Sequence, residues 1–340
     1  MLNIQFRLYI VYRGLTPITP FVFNLLYSYT LFSIKMNAEG SFLVLKKLSG
    51  VTLAMAVTIG LTACGGSETS GSGSLGEQLD YEIVGIDPGS GLMNATQNNV
   101  LPGYGLDEKW KVIEGSDTAM TAELTKAIKN EDPIIVTGWV PHWIFNEFDL
   151  KMLEDPKELY GGEEYIHTLV RHGLQDDLPE AYKFLDQFEW GPEEMQDVMV
   201  KIQSGKSEQE AAEEWVAENA DLVNSWTEGV KPGNGEEISM TYAAWADSIA
   251  SNNVVKYVLE KELEYSVNLI QVEPGAMWAG VSDGSVDAMI GAALPTTHAA
   301  YYEKFEGDFV DLGPNFTGLK NGLVVPAYMD IDSIEDLQDL

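Results

Sequence analysis

Three features of this chain are spaced so that they could hold a small molecule. Asp87-Pro88-Gly89-Ser90-Gly91-Leu92 is a glycine-rich turn that opens a helix. At such a point the first backbone N–H groups have no intrahelical acceptor and the helix dipole adds positive character, which suits a small anion such as a carboxylate. Trp139 and Trp245 each closely follow a predicted strand. Indole faces attract cations that offer no hydrogen bonds, the basis of quaternary-ammonium recognition. Trp143, Trp190, Trp215, Trp226 and Trp278 read as ordinary core residues. Catalytic signatures are missing: there is no G-x-S-x-G elbow and no H-E-x-x-H zinc helix, and Gly205-Lys206-Ser207 has Val200 where a phosphate-binding loop needs its first glycine. The four histidines, His142, His167, His172 and His298, lack metal-ligand spacing, with His167 and His172 five apart on a predicted helix and therefore separated around its axis. The sequence implies no enzyme, no metal and no cofactor.

The elements that must position these residues come in two similar sets. Tyr81 to Ile86 reads as a strand, Leu92 onward as a helix, Lys111 to Glu114 as a strand, Asp117 to Lys129 as a helix and Ile134 to Thr137 as a strand. The order recurs in strand Ile238 to Ala243, helix Ser248 to Leu263, strand Val267 to Val272, helix Pro274 to Val281 and strand Ala288 to Ile290. Strands alternating with helices predict mainly parallel α/β sheets covered on both faces. Both sets end alike, on Gly138-Trp139-Val140-Pro141-His142 and on Ala292-Ala293-Leu294-Pro295-Thr296-Thr297-His298. Ligands collect at the carboxyl ends of strands in open α/β sheets, so two such ends facing each other make a cleft between lobes. Between the sets, Pro179 to Val230 is mostly helical, and at the end Gly322 to Ala327 is a buried-type strand leading to a short helix, Ser333 to Leu340.

The net charge is −33, and residues 1–63 carry five of the basic side chains and only one acid, so the acidity belongs to the folded body. A nucleic-acid partner, whose phosphates require a basic surface, is excluded. Dense like charge keeps a protein solvated and monomeric, and is also a form of adaptation to high salt, where the repulsion is screened. Cys64 is the sole cysteine, so no intrachain disulfide forms. It is preceded by Lys46-Lys47, an apolar run from Leu48 to Thr62 and Leu61-Thr62-Ala63, the marks of a secretory signal. Leu-Thr-Ala-Cys resembles the bacterial lipobox, whose cysteine is lipidated. Residues 36–63 are therefore expected to be a signal peptide, Cys64 the lipid anchor on the extracytoplasmic face of the cell membrane, and residues 64–79, rich in Gly and Ser, a tether, with the folded body starting near Asp80. Residues 1–35 are read as an upstream extension without function, their apolar patch Phe21 to Ile34 being short for a bilayer span.

Over residues 80–340 the sequence resembles the glycine betaine binding proteins of OpuA-type importers. The resemblance rests on Gly85 to Gly91 (GIDPGSG), Ile134 to Trp143 (IIVTGWVPHW), Leu153 to Lys157 (LEDPK), Tyr242 to Trp245 (YAAW), Leu294 to His298 (LPTTH) and Gly322 to Met329 (GLVVPAYM). It implies a two-lobed periplasmic-binding-protein fold of type II in the circularly permuted branch, with residues 80–147 and 323–340 as lobe I and 148–322 as lobe II. It also implies an extracytoplasmic binding protein that captures glycine betaine or a related quaternary-ammonium solute for osmoprotective uptake, working with an ABC permease and ATPase. A sensor domain that binds a betaine, choline or carnitine for signalling is the alternative. The resemblance implies further that the Gly91 and Leu92 amides and the His298 side chain hold the ligand carboxylate, and that Trp139 and Trp245 wall an aromatic cage. The family's third cage tryptophan falls at Ala293. Either glycine betaine binds more weakly, or the space admits a bulkier ligand, or Tyr242 or another aromatic swings in.

Overall fold

The computed structural model describes residues 74–340. The upstream extension, the signal segment, Cys64 and most of the tether lie outside the described residues. The body begins earlier than Asp80: Ser74 caps a helical turn, Leu75–Gln78, by accepting from the Glu77 N–H at 3.2 Å, and Leu79 is buried.

The first βαβαβ set forms as its pattern predicts. Strand β1 (Glu82–Val84) lies between β2 (Lys111–Ile113) and β3 (Val136–Val140), both parallel to it. The helix Asp117–Asn130 starts at Ser116, whose hydroxyl accepts from the Ala119 N–H, and ends at Glu131 in the left-handed conformation. Its Met120, Leu124 and Ala127 recur at helical spacing and are buried. Strand β4 (Leu150–Met152) pairs antiparallel with the end of β9 (Phe309–Pro326). Residues from 148, expected in the second lobe, thus begin in the first half-sheet. Further contacts hold that stretch there: the Tyr104 hydroxyl donates to Asp155 at 2.5 Å and the Thr96 and Tyr160 hydroxyls meet at 2.9 Å.

The second set gives β6 (Glu237–Tyr242), β7 (Ser266–Gln271) and β8 (Ala288–Leu294), all parallel, followed in the sheet by antiparallel β5 (Glu164–Arg171). His167 therefore stands on a strand, not on a helix as its sequence context predicts. Inward residues of β5 alternate with outward ones through Glu164, Ile166 and Thr168, a period of two that the polar and charged neighbours conceal. His167 pairs with Asp311 at 2.9 Å and His172 contacts the Gly307 carbonyl, so the two do not share a site. The helices between Pro179 and Thr227 bury an aromatic cluster in which Trp215 and Trp226 stack at 5.8 Å and Trp190 meets Trp215 edge-on.

The sheet order is β2-β1-β3-β9-β5-β8-β6-β7, so the two sets are mirror-placed around β9. Each half repeats one pattern: three parallel strands with the first in the middle, then an antiparallel strand. Strand β9 serves both, pairing with β5 from Phe309 to Leu319 and with β3 from Lys320 to Val324. Gly318 takes φ +106° beside this exchange of partners, a conformation that glycine alone adopts freely. From Gly322 the chain thus pairs with β3 and β4 in the first half-sheet. A 3₁₀ segment, Ile334–Asp339, closes the chain there, with the Trp110 indole N–H donating to the Leu337 carbonyl at 3.1 Å.

Candidate functional site

The carboxyl ends of the strands in the two halves face one another across a cleft lined by residues of both. Gly91, Leu92, Trp139, Trp245 and His298, singled out from sequence, all line it. Ser90 precedes the helix that starts at Gly91. Its hydroxyl accepts from the Met93 N–H at 3.2 Å and its carbonyl from the Asn94 N–H at 3.1 Å. The N–H groups of Gly91 and Leu92 meet no acceptor among the described residues, which leaves two donors and the positive end of the helix dipole at the cleft.

His298 adds a third donor. Its Nδ1 accepts from the Ala293 N–H at 3.0 Å, which places the ring proton on Nε2. Burial pushes its pKa down to about 4, so the ring is neutral at pH 7 and presents that N–H without a charge. The turn that carries His298 is fixed by Glu164 of β5. The Glu164 carboxylate accepts from the Thr296 and Thr297 N–H groups and from the Thr297 hydroxyl. Asn321, where β9 passes between the halves, donates to the same hydroxyl at 2.7 Å.

The two indoles are held by reciprocal bonds across the cleft. Trp139, from the first half, donates its Nε1–H to Asp247 of the second at 3.2 Å. Trp245, from the second half, donates to Asp87 of the first at 3.0 Å. Trp139 is backed edge-on by His142 at 4.6 Å, and Trp245 stacks on the His298 ring at 5.9 Å. Three more bonds join the halves: the Ala246 N–H to Asp117 at 2.9 Å, the Tyr301 hydroxyl to the Gly89 carbonyl at 2.8 Å, and Gln196 to the His142 carbonyl at 3.1 Å. A Cβ at Gly91 would run into the Thr297 carbonyl across the cleft. The conformation is therefore closed.

Ala293 leaves its side of the cleft without an aromatic face. Ile166 and Leu319 line the cavity beside it, making an aliphatic wall. Tyr242 does not take that place: it lies outside the lining, with its hydroxyl on Gln271 at 3.3 Å. Sequence reasoning also missed Asp247, which lines the cavity and is buried with its pKa raised to about 6. Burial is the main cause, opposed by the His142 ring and reinforced by the Asp117 carboxylate.

This arrangement can hold an anionic group on three neutral donors and a bulky cation between two indoles. The chain matches, over residues 67–218 and 236–340, the family described as the substrate binding domain of ABC-type glycine betaine transport systems. It belongs to that family. A glycine betaine/carnitine transport binding protein, GbuC, of Listeria monocytogenes serotype 1/2a (strain 10403S) is 46% identical over 298 residues, 87% of this chain and 99% of that protein. Among solved structures, lactococcal OpuAC in its closed, glycine betaine-bound conformation is 44% identical over 44% of this chain and 58% of its own, with a TM-score of 0.42. The glycine betaine, L-proline binding protein ProX of Borrelia burgdorferi is 36% identical over 44% of this chain and 57% of its own, with a TM-score of 0.42. The chain thus spans less than two thirds of either solved structure in these alignments. Membership makes it an extracytoplasmic substrate-binding protein of ABC-type glycine betaine transport, with the two-lobed type II periplasmic-binding-protein fold. The family consists of transport proteins and is not enzymatic in general.

Proposed function

We propose that the cleft captures glycine betaine or a closely related quaternary-ammonium solute for osmoprotective uptake. The carboxylate accepts from the Gly91 and Leu92 N–H groups and from His298 Nε2–H, and the trimethylammonium lies between Trp139 and Trp245. The observation that carries this reading is the pairing within one cavity of unpartnered neutral donors and two buried indoles. A zwitterion with its charges a few bonds apart matches both ends. The protein acts as a monomer tethered through a lipidated Cys64, with the Gly/Ser-rich residues before the capped turn at Ser74 spacing the body from the membrane. The half that carries β1 to β4 with the end of β9, and the half that carries β5 to β8, form the two lobes that close on the solute and present it to the permease and ATPase. The aliphatic wall at Ala293 leaves room for larger members of the class, such as carnitine.

Isothermal titration of the purified protein with glycine betaine, carnitine and choline tests the reading. Saturable binding of a betaine at submillimolar concentration is expected, weakened at least tenfold by Trp139→Ala and by Trp245→Ala. Absence of binding to all three ligands up to millimolar concentration, or wild-type binding in both variants, refutes it.

A further inference from the structure

Asp247 is the sole formally charged side chain lining the cavity among the described residues. It lies in the first turn of the helix Ala246–Lys261, more than nine tenths buried, and accepts the Trp139 indole N–H from the other half. No lysine or arginine forms an ion pair with it among the described residues, and its carboxylate neighbour Asp117 repels it. His142 gives its Nε2–H to Asp117, because its Nδ1 already accepts from the Ile144 N–H. Asp117 is thus satisfied by His142 and by the Ala246 N–H, whereas Asp247 has backbone amides, one indole and, as its sole cationic neighbour among the described residues, the His142 ring, whose hydrogen bond goes to Asp117 instead. A buried carboxylate without a cation is costly, and a fold keeps one where a cation arrives.

We propose that Asp247 is a specificity-determining residue of this cleft: its carboxylate supplies the counter-charge for the quaternary ammonium in a cage whose Ala293 side has no indole. The inference rests on the betaine reading and deepens it. With helix-terminal N–H groups at one end and a carboxylate lining the cage, the cavity carries a field that favours one orientation of a zwitterion. The ligand's carboxylate is repelled from Asp247 toward Gly91, Leu92 and His298, while its ammonium is drawn the other way. The cavity therefore selects for a positive charge through this carboxylate in addition to the two indole faces, where a third indole is replaced by an aliphatic wall.

The test compares glycine betaine with 3,3-dimethylbutanoate, which has the same shape and carboxylate but a neutral tert-butyl group, on the wild type and on Asp247→Asn at pH 8. The asparagine keeps an oxygen for the Trp139 N–H. Glycine betaine affinity is expected to fall at least tenfold in the variant while that of 3,3-dimethylbutanoate stays within twofold or improves. Equal losses for both ligands would show a role in packing alone, and unchanged affinity for both would show none; either result overturns the proposal. Asp247→Ser, with thermal melting of both variants alongside, gives the same ratio where the amide perturbs folding. Failure of the wild type to bind glycine betaine at all would instead remove the underlying reading, and is seen before any variant is made.

Discussion

The reciprocal indole–carboxylate bonds give the cleft a measurable coupling between closure and binding. Consider Trp245 and Asp87, whose Nε1 and Oδ2 atoms lie 3.0 Å apart across the cleft. The bond exists only when the halves are closed, so it favours the closed state and lowers the ligand's dissociation constant without touching the ligand. Hydrogen bonds to a charged group contribute about 1.5–3 kcal/mol. Asp87 is partly exposed and regains water on opening, which places the net gain near the lower end. About 1.5 kcal/mol corresponds to roughly tenfold in affinity. Trp245→Phe and Asp87→Ala are each expected to weaken glycine betaine about tenfold, chiefly through faster release. Trp245→Ala loses in addition a desolvated cation–π contact of about 2 kcal/mol and is expected to weaken it several hundredfold. The double variant Trp245→Phe with Asp87→Ala should be little weaker than Trp245→Phe alone, because both changes remove one bond and the altered ring face is common to both backgrounds. Calorimetric titration of the four proteins with glycine betaine gives the cycle, and stopped-flow tryptophan fluorescence gives the release rate. Fully additive losses, or either single variant within twofold of the wild type, would refute the coupling.

Gly91→Ala places a methyl group against the Thr297 carbonyl only in the closed form, so binding is expected to fall at least a hundredfold while ligand-free stability changes by less than about 1 kcal/mol, as titration and melting would show. Ala293→Trp restores an aromatic face in place of the aliphatic wall; about tenfold tighter glycine betaine and weaker carnitine are expected, measured by competition. Asp247 has a folded pKa of about 6, above its ordinary value of 3.8, so the folded state binds more protons between these values and its ionisation destabilises the fold as pH rises through that window. Asp247→Asn, with Asp117 and His142 unchanged beside it, should therefore shift the ligand-free protein toward the closed form at pH 7.5 and hardly at all at pH 3.8, read from small-angle X-ray scattering. The His298 ring contributes with the opposite sign, its pKa of about 4 lying below the ordinary 6.5, and it is common to both proteins.

What could be read from the chain follows from how local each signal is. The two βαβαβ sets, Gly91, Leu92, Trp139 and Trp245 were legible because strand alternation, the turn at Asp87 to Gly91 and the tryptophans at the end of β3 and after β6 are contiguous features, whereas His298 was reached through the family resemblance. Strand β5 was not: His167, Thr168 and Arg171 interrupt its apolar run, and its stability comes from flanking β8 and β9, which are more than a hundred residues away. Strand β9 runs from Phe309, well before the apolar Gly322 to Ala327, because its earlier part is held by β5 rather than by its own composition. Asp247 and Asp87 are two of 53 acidic residues, and nothing local marks either as an indole's partner. The aliphatic wall was equally hidden, since Ile166 and Leu319 reach the cavity from separate strands that meet Ala293 only in the folded sheet.

The strand common to both half-sheets bears on how this molecule is made. Without residues 309–319, β5 would present a bare edge beside β8; without residues 320–324, β3 would do so beside β1. An uncovered edge of that kind recruits other chains. Neither jaw is therefore a viable fragment, and a chain still on the ribosome has both sheets unfinished until residues 309–326 have emerged. Two bodies that part and meet around a solute are, for biogenesis, a single unit completed by the one strand they share.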